Sequence, residues 1–178
     1  SWVTHFADLI ASDPRIKGRV LDVGCSPGGA WQQKFRDAIA QASQLDGVDP
    51  NPAIMQNPYV KERWCSTMEA APLPESAYDA AVSFQVVEHV ADPRGFLRAV
   101  HRTLKPGGVF YATTPHLYHP FPWAVLTLEA VDFKKFAARK NESINKIPTY
   151  YRLNSRAALE SAAAGLGFSS LSLHYFPC

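Results

Sequence analysis

The chain has 178 residues, of which 47% are hydrophobic and 19% are charged, and its formal net charge is +2. This length and composition predict one globular domain with a sizeable core and exclude intrinsic disorder. Lys and Arg are scattered, so the charge gives no reason to expect nucleic acid, and no apolar run is as long as a membrane span.

The three cysteines are far apart in the chain and form no CxxC motif; they are Cys25, Cys65 and Cys178. An odd number at wide spacing disfavours a disulfide framework and a zinc site, and it indicates a reducing compartment. The first residues, "SWVTHFADLI", lack the basic and apolar regions of a secretory signal. We therefore expect a cytoplasmic protein without a membrane span.

Strand and helix patterns alternate along the first half of the chain. A helix is predicted over 3–11, and "RVLDV" is the first strand, which ends in a glycine turn. The spacing of Trp31, Phe35 and Ile39 predicts a helix over 30–42. The segments "LDGVD" and "VKERWCS" are the second and third strands.

The second half of the chain continues the same alternation. The fourth strand is "YDAAVSFQ", Asp92 and Pro93 begin a helix that "KPGG" ends, and "VFYATT" is the fifth strand. Asn154 or Ser155 caps the last helix, and "FSSLSLHYF" is the last strand. This order predicts an α/β fold with a doubly wound, mostly parallel sheet, in which ligands bind beyond the carboxyl ends of the strands.

The segment "DVGCSPGG" forms the turn after the first strand. Gly24 and Gly28 let the backbone approach a ligand, and the amides of the following helix favour a negative group. Such a turn alone fits many nucleotide folds. Asp49 ends the next strand about 20 residues later, where an acid can accept hydrogen bonds from both ribose hydroxyls.

Asp22 distinguishes between the nucleotide ligands that the turn could bind. A carboxylate beside a pyrophosphate would repel it, whereas a carboxylate beside an ammonium group would attract it. The pattern therefore predicts a nucleoside with an amino-acid end. S-adenosylmethionine has this form, with its ribose at Asp49, its ammonium near Asp22 and its carboxylate at the amides of the turn.

Four segments occur in the order found in one enzyme family and cover roughly residues 19–115: "VLDVGCSPGG", "LDGVDPNP", "MEAAPLPESAYDAAVSFQVVEHV" and "LKPGGVFYATTP". The chain resembles the class I S-adenosylmethionine-dependent methyltransferases, and more narrowly the group that includes the ubiquinone-biosynthesis enzymes. The resemblance implies a Rossmann-like sheet of six to seven strands with a helical cap insertion. It also implies S-adenosylmethionine as the cofactor.

The resemblance assigns the cofactor-binding residues by position. The residues around the methionine part are Asp22, Gly24, Ser26 and Gly28, with Cys25 as a small structural residue beneath it. Asp49 binds the ribose, and Pro50 packs on the adenine. Thr67 and Met68 take the position at the adenine edge, where the family often has Asp in place of Thr67. The full set is Asp22, Gly24, Cys25, Ser26, Gly28, Asp49, Pro50, Thr67, Met68 and Gln85.

The segment "QVVEHV" departs from an E-x-x-E-H pattern that binds a divalent cation in some relatives. Gln85 stands in place of the first acid and is a weaker ligand for a hard cation, so we expect no metal here. Glu88 can equally be a structural acid. If the methyl acceptor needs a base, His89 and His116 are the candidate catalytic residues, because both follow strands at the mouth of the pocket.

Residues 116–151 are dense in aromatic side chains. They form either a helical insertion with its own small core or a lid that contacts an aromatic or lipid-like acceptor. We therefore expect a single domain over 1–178, with a cofactor-binding core over 19–115 and a substrate lid over 116–151. The family sheet ends in a seventh, antiparallel strand, so we expect the native chain to continue past Cys178.

These patterns predict methyl transfer to a small-molecule acceptor, with oxygen as the expected acceptor atom by analogy. Two alternatives stay open: a non-catalytic module that binds the cofactor within a larger assembly, and a nicotinamide-dependent oxidoreductase, which Asp22 disfavours. Methylation of nucleic acid or protein is disfavoured by the weak charge bias and by the lack of an N/D-P-P-Y-type tetrapeptide after the fourth strand.

Overall fold

The computed structural model describes residues 2–25, 33–115 and 148–176. Its centre is a sheet of five parallel strands in the order β3-β2-β1-β4-β5. The strands are β1 (Arg19–Val23), β2 (Gln44–Val48), β3 (Arg63–Trp64), β4 (Tyr78–Phe84) and β5 (Leu104–Thr113). The predicted doubly wound parallel sheet is thus confirmed, with five strands in the described ranges where six to seven were expected.

Four α-helices cover the two faces of this sheet in the described ranges: α1 (Trp2–Ala11), α2 (Gln33–Ile39), α3 (Pro93–Thr103) and α4 (Arg156–Ala163). The predicted N-caps are confirmed, because Asp92 accepts from the Gly95 amide and Ser155 from the Ala158 amide. Short 3-10 turns at Pro14–Lys17, Pro52–Gln56 and Val87–His89 complete the connections. No described helix is long and apolar enough to cross a membrane.

Alternation along the strands builds one core on each face of the sheet. Val20 and Ala80 pack with α1 and α2, whereas their neighbours Leu21 and Ala81 pack with α3 and α4. Because successive strand residues point to opposite faces, apolar runs such as "RVLDV" must be covered on both sides. This burial on both faces agrees with the predicted sheet that is wound on both sides.

Strand β5 begins earlier than the sequence suggests. Tyr78 pairs with Leu104, but Ala80 pairs with Val109, so β5 contains three extra residues at "KPGG". Gly107 has a φ of +79° there, which allows the chain to bulge and rejoin β4. The strand therefore follows α3 directly, without the intervening loop.

The predicted sixth strand over 168–176 is wrong, since no described strand pairs with these residues. Phe168 packs edge-on against His101 of α3, with ring centroids 5.0 Å apart, and Phe176 stacks on His5 of α1 at 5.9 Å. These helices lie on opposite faces, so the segment crosses from one face of the sheet to the other.

Candidate active site

The strand order reverses between β1 and β4, and the glycine turn lies at this switch point. Gly24 follows β1, has a φ of +81°, and its amide donates a hydrogen bond to the Val48 carbonyl at 2.8 Å. A Cβ atom at Gly24 would lie 2.2 Å from Cγ2 of Val86, in the connection after β4. Both the backbone angle and the packing therefore require glycine here.

Asp22 is the buried acid next to this turn. It lies in β1 between Gly47 of β2 and Val82 of β4, with 9% of its surface exposed. Burial and, to a smaller extent, the Asp49 carboxylate together raise the pKa of Asp22 to about 7, against a lowering by Arg36. A carboxyl group in this environment gains most from a ligand that brings a positive charge.

Asp49 comes directly after β2 and is also buried. Its Oδ1 accepts a hydrogen bond from the Asn51 amide at 2.7 Å, and its own amide donates to the Trp64 carbonyl at 3.1 Å. These bonds fix the acid at the carboxyl end of its strand. Pro50 follows it and is exposed, as an apolar contact surface for a ligand would be.

The Cys25 thiol faces the protein interior. It packs with Ile54 and Val60, and a Cβ at Gly47 would lie 2.4 Å from its Sγ. Burial raises the pKa of this thiol well above its usual range, so it is a poor nucleophile. Asn57 Nδ2 donates to the Cys25 carbonyl at 2.6 Å, and this bond holds the backbone of the turn at Cys25.

The other predicted cofactor residues are placed around the same sheet edge with different exposures. Thr67 is exposed after β3, whereas the Met68 side chain is buried in the main core. Gln85 follows β4 with a φ of +55°, and its amide donates to the Thr113 carbonyl at 3.2 Å. A non-glycine residue in this left-handed region at a strand end is typical of a functional site.

Three predicted site residues, Ser26, Gly28 and His116, lie outside the described residues, as does most of the predicted lid over 116–151. Their roles stay predictions. A cavity of about 390 Å³ lies next to the turn and is lined by Asp22 and Gly24 as well as by residues of α2 and of the segment before β3. It reaches only the Asp22 side of the candidate site.

His89 lies in the 3-10 turn after β4. Its Nδ1 is 3.0 Å from the Pro148 carbonyl oxygen and 3.4 Å from Thr149 Oγ1. A carbonyl oxygen only accepts, so Nδ1 carries the hydrogen and Nε2 is left as an acceptor in the neutral ring. The predicted candidate base is thus held in one tautomer.

Comparison with known proteins identifies the family. A family model described as a methyltransferase domain matches residues 3–173. The chain belongs to the methyltransferase-domain family. This match confirms the resemblance to class I S-adenosylmethionine-dependent methyltransferases.

Individual relatives agree with this assignment. The methyltransferase domain is 29% identical over 147 residues to a ubiquinone biosynthesis O-methyltransferase of Ruegeria pomeroyi, covering 80% of this chain and 58% of the relative. It is 32% identical over 111 residues to a malonyl-[acyl-carrier protein] O-methyltransferase of Pseudescherichia vulneris, covering 61% and 44%. The chain therefore spans about half the length of these two relatives.

A solved structure of similar fold is a SAM-dependent methyltransferase of Leishmania major. Its TM-score is 0.51 and its identity 21%, and the match covers 64% of this chain and 50% of that one. At this level of identity, the similarity shows the fold alone.

Three residues that are far apart in the sequence, Glu88, Thr114 and Asn154, also lie close together at the candidate site of the methyltransferase domain. Glu88 is buried, and its Oε2 is 3.3 Å from Thr114 Oγ1, which is 2.6 Å from Asn154 Nδ2. Only the fold brings these residues together, because up to 66 positions separate them in sequence. No group of three His, Cys, Asp or Glu side chains in the described ranges could hold a metal ion.

Proposed function

We propose that this methyltransferase domain uses S-adenosylmethionine to methylate a small-molecule acceptor in the cytoplasm. The carrying observation is the pair of buried acids, Asp22 and Asp49, on adjacent strands beside the Gly24 turn. The domain organisation that we propose is a cofactor-binding core over 19–115 and a substrate lid over 116–151.

The chemistry of this acid pair fits the cofactor. The Asp22 carboxyl, whose pKa burial raises, has a suitable partner in the cofactor's ammonium group. A carboxylate can accept several hydrogen bonds, so Asp49 can accept from ribose hydroxyls as well as from the Asn51 amide. When bound, the cofactor supplies a methyl group activated on a sulfonium sulfur.

The proposed acceptor is a small molecule, and oxygen is the proposed acceptor atom. Two relatives named above are O-methyltransferases by name, which supports oxygen. Positioning the acceptor in line with the methyl carbon accounts for most of the work that the protein does. We propose that Nε2 of His89 contributes to this positioning, and that His116 contributes from the lid.

The test is release of S-adenosylhomocysteine in the presence of a panel of phenols, alcohols, carboxylic acids and amines. The proposal expects turnover with at least one hydroxyl compound. Binding of S-adenosylhomocysteine without turnover on any compound would instead favour the non-catalytic binding module. The same buried acids would serve such a module equally well, and only turnover distinguishes the two.

A nicotinamide-dependent oxidoreductase is the less favoured alternative. The buried Asp22 next to the turn would repel the pyrophosphate of a dinucleotide, and it would do so more strongly as the pH rises through its raised pKa. Binding of NAD with no binding of S-adenosylhomocysteine would reverse this choice.

A further inference from the structure

A buried polar cluster lies at the carboxyl ends of β4 and β5 and has no role in the function proposed above. It consists of Glu88 from the turn after β4, Thr114 just after β5, and Asn154 just before α4. We call it the Glu88 cluster. Glu88 and Asn154 are only 6% and 2% exposed, whereas Thr114 is half-buried. The cluster is therefore reached from outside through Thr114.

The hydrogen bonds of the cluster have a fixed direction. Asn154 Nδ2 can only donate, so it gives a hydrogen to Thr114 Oγ1. The Thr114 hydroxyl then directs its own hydrogen to Glu88 Oε2. A hydroxyl oxygen has two lone pairs, so Thr114 can accept one more hydrogen from outside the cluster.

Two acceptors in the cluster are incompletely satisfied by the described residues. Asn154 Oδ1 is buried and has no hydrogen-bond donor there. The Glu88 carboxylate accepts from the Thr114 hydroxyl and from its own backbone amide but forms no salt bridge within the described ranges. Buried acceptors of this kind are costly unless a partner supplies polar hydrogens, so they point to a ligand with such hydrogens.

The surroundings of Glu88 hold it in place and set its proton affinity. Its backbone carbonyl accepts from the amides of Tyr150 and Tyr151 at 2.8 and 3.0 Å. Burial raises the pKa of Glu88, while His89 and the Thr114 hydroxyl lower it. A fixed carboxylate of raised proton affinity is a better proton acceptor than an exposed one.

We propose that Thr114 binds the hydroxyl group of the methyl acceptor and that Glu88, behind it, receives the proton. This inference rests on the proposed methyl transfer. The acceptor oxygen forms a bond to the methyl carbon, and the bond from sulfur to that carbon breaks with its electron pair left on sulfur. The acceptor's proton passes to Thr114 Oγ1 as the Thr114 proton passes to Glu88 Oε2, and Glu88 later releases it to water.

Asn154 is a positioning residue in this scheme. Its Nδ2 donates to the Thr114 oxygen and to the Pro115 carbonyl, and these bonds orient the Thr114 hydroxyl. The ligand class is therefore a compound with a nucleophilic hydroxyl group, rather than one that offers only carboxylate or ether oxygens.

The test follows the Glu88 carboxyl signal by NMR in protein with labelled glutamate side chains, with and without S-adenosylhomocysteine. The signal is assigned with Glu88→Gln. Phenol is the hydroxyl probe, and anisole is its matched control, because it has a similar shape but no hydroxyl hydrogen. Thr114→Ser keeps the hydroxyl group of residue 114, whereas Thr114→Val removes it.

We expect phenol to shift the Glu88 signal and anisole to leave it unchanged. In Thr114→Ser, phenol still shifts the Glu88 signal. Thr114→Val weakens phenol binding by about twofold to tenfold, as loss of one hydrogen bond does. No shift with phenol, or equal shifts with phenol and anisole, overturns the inference even if Thr114→Val fails to fold. Calorimetry with S-adenosylhomocysteine on the same samples shows separately whether the proposed cofactor binding fails.

Discussion

Gly24 lies directly against Val86, so that a Cβ atom on Gly24 would be 2.2 Å from Val86 Cγ2. This contact joins the turn after β1 to the connection after β4, on the two sides of the switch point in the sheet. The shape of the candidate cofactor site therefore depends on Gly24, which must be glycine because of its positive φ angle and because of its contact with Val86.

Gly24→Ala is expected to destabilise the domain more than Gly107→Ala. Both glycines have positive φ angles, +81° and +79°, so both variants lose about 1–2 kcal/mol through the backbone. Only Gly24→Ala adds a steric clash, at a further cost of about 1–3 kcal/mol, since a methyl group on Gly107 would have nothing within 4 Å. Urea unfolding of both variants measures the difference, and equal losses would show that the Val86 contact relaxes freely.

The affinity for S-adenosylhomocysteine is expected to rise with pH up to about 7. Below its raised pKa, Asp22 is neutral and attracts an ammonium group weakly. Deprotonation strengthens this attraction, by up to about tenfold in affinity per pH unit. Calorimetry across this range should show the rise in the wild type and a flat profile in Asp22→Asn. A rise of equal slope in Asp22→Asn would assign the dependence to another group.

The stability of the ligand-free domain is expected to change with pH in the opposite direction. The pKa of Asp22 is about 7 in the folded domain against an ordinary value of 3.8. The protonated Asp22 therefore adds fully to the free energy of unfolding below pH 3.8, and this contribution is lost as the pH rises through about 7. Asp22→Asn removes the buried charge and should raise the melting temperature above pH 7. A variant that melts lower at that pH would show that the carboxylate has a partner of its own.

Cys25→Ala is expected to keep cofactor binding and turnover. The thiol packs with Ile54 and Val60 and lies against Gly47, so its removal costs about 1 kcal/mol through lost contacts. In a Cys178→Ser background, iodoacetamide should modify the exposed Cys65 well before Cys25, whose pKa burial raises. Loss of all turnover in Cys25→Ala with intact binding would assign the thiol to the chemistry.

Glu88→Gln and His89→Asn should differ in their pH profiles. Glu88→Gln removes the proposed proton acceptor, so turnover of a hydroxyl compound falls by about 100- to 10,000-fold and loses its rise with pH. His89→Asn can still donate to the Pro148 carbonyl but has no Nε2, so turnover falls while the rise with pH remains. Glu75→Gln, at an exposed site, is the control. If His89→Asn abolishes the rise instead, His89 is the base.

The sequence was sufficient to predict the doubly wound fold and the positions of Asp22 and Asp49 near the ends of their strands. Apolar strand patterns and caps such as Asp92 are local features, and the acids at the ends of β1 and β2 follow from the strand ends themselves. The prediction that failed concerns a segment whose structure depends on contacts between residues far apart in the sequence. Residues 168–176 have a strand-like composition, but they pack against His5 and His101 and pair with no described strand.

The Glu88 cluster could not be predicted for the same reason. Asn154 looked like a helix cap, and Ser155 takes that role, which leaves the Asn154 amide for Thr114. Glu88 and His89 appeared as motif residues, but nothing local showed that residues 148–151 would hydrogen bond to both. The packing of the Cys25 thiol against Gly47 likewise depends on a neighbouring strand.

Calorimetric titration with S-adenosylhomocysteine and with NAD tests the central claim most directly, in wild type, Asp49→Asn and the exposed control Asp8→Asn. We expect the wild type and Asp8→Asn to bind S-adenosylhomocysteine equally and NAD not at all. Asp49→Asn should bind about tenfold to a hundredfold more weakly, because a charged acceptor for the ribose hydroxyls is lost. Binding of NAD alone, or full affinity in Asp49→Asn, would contradict the account.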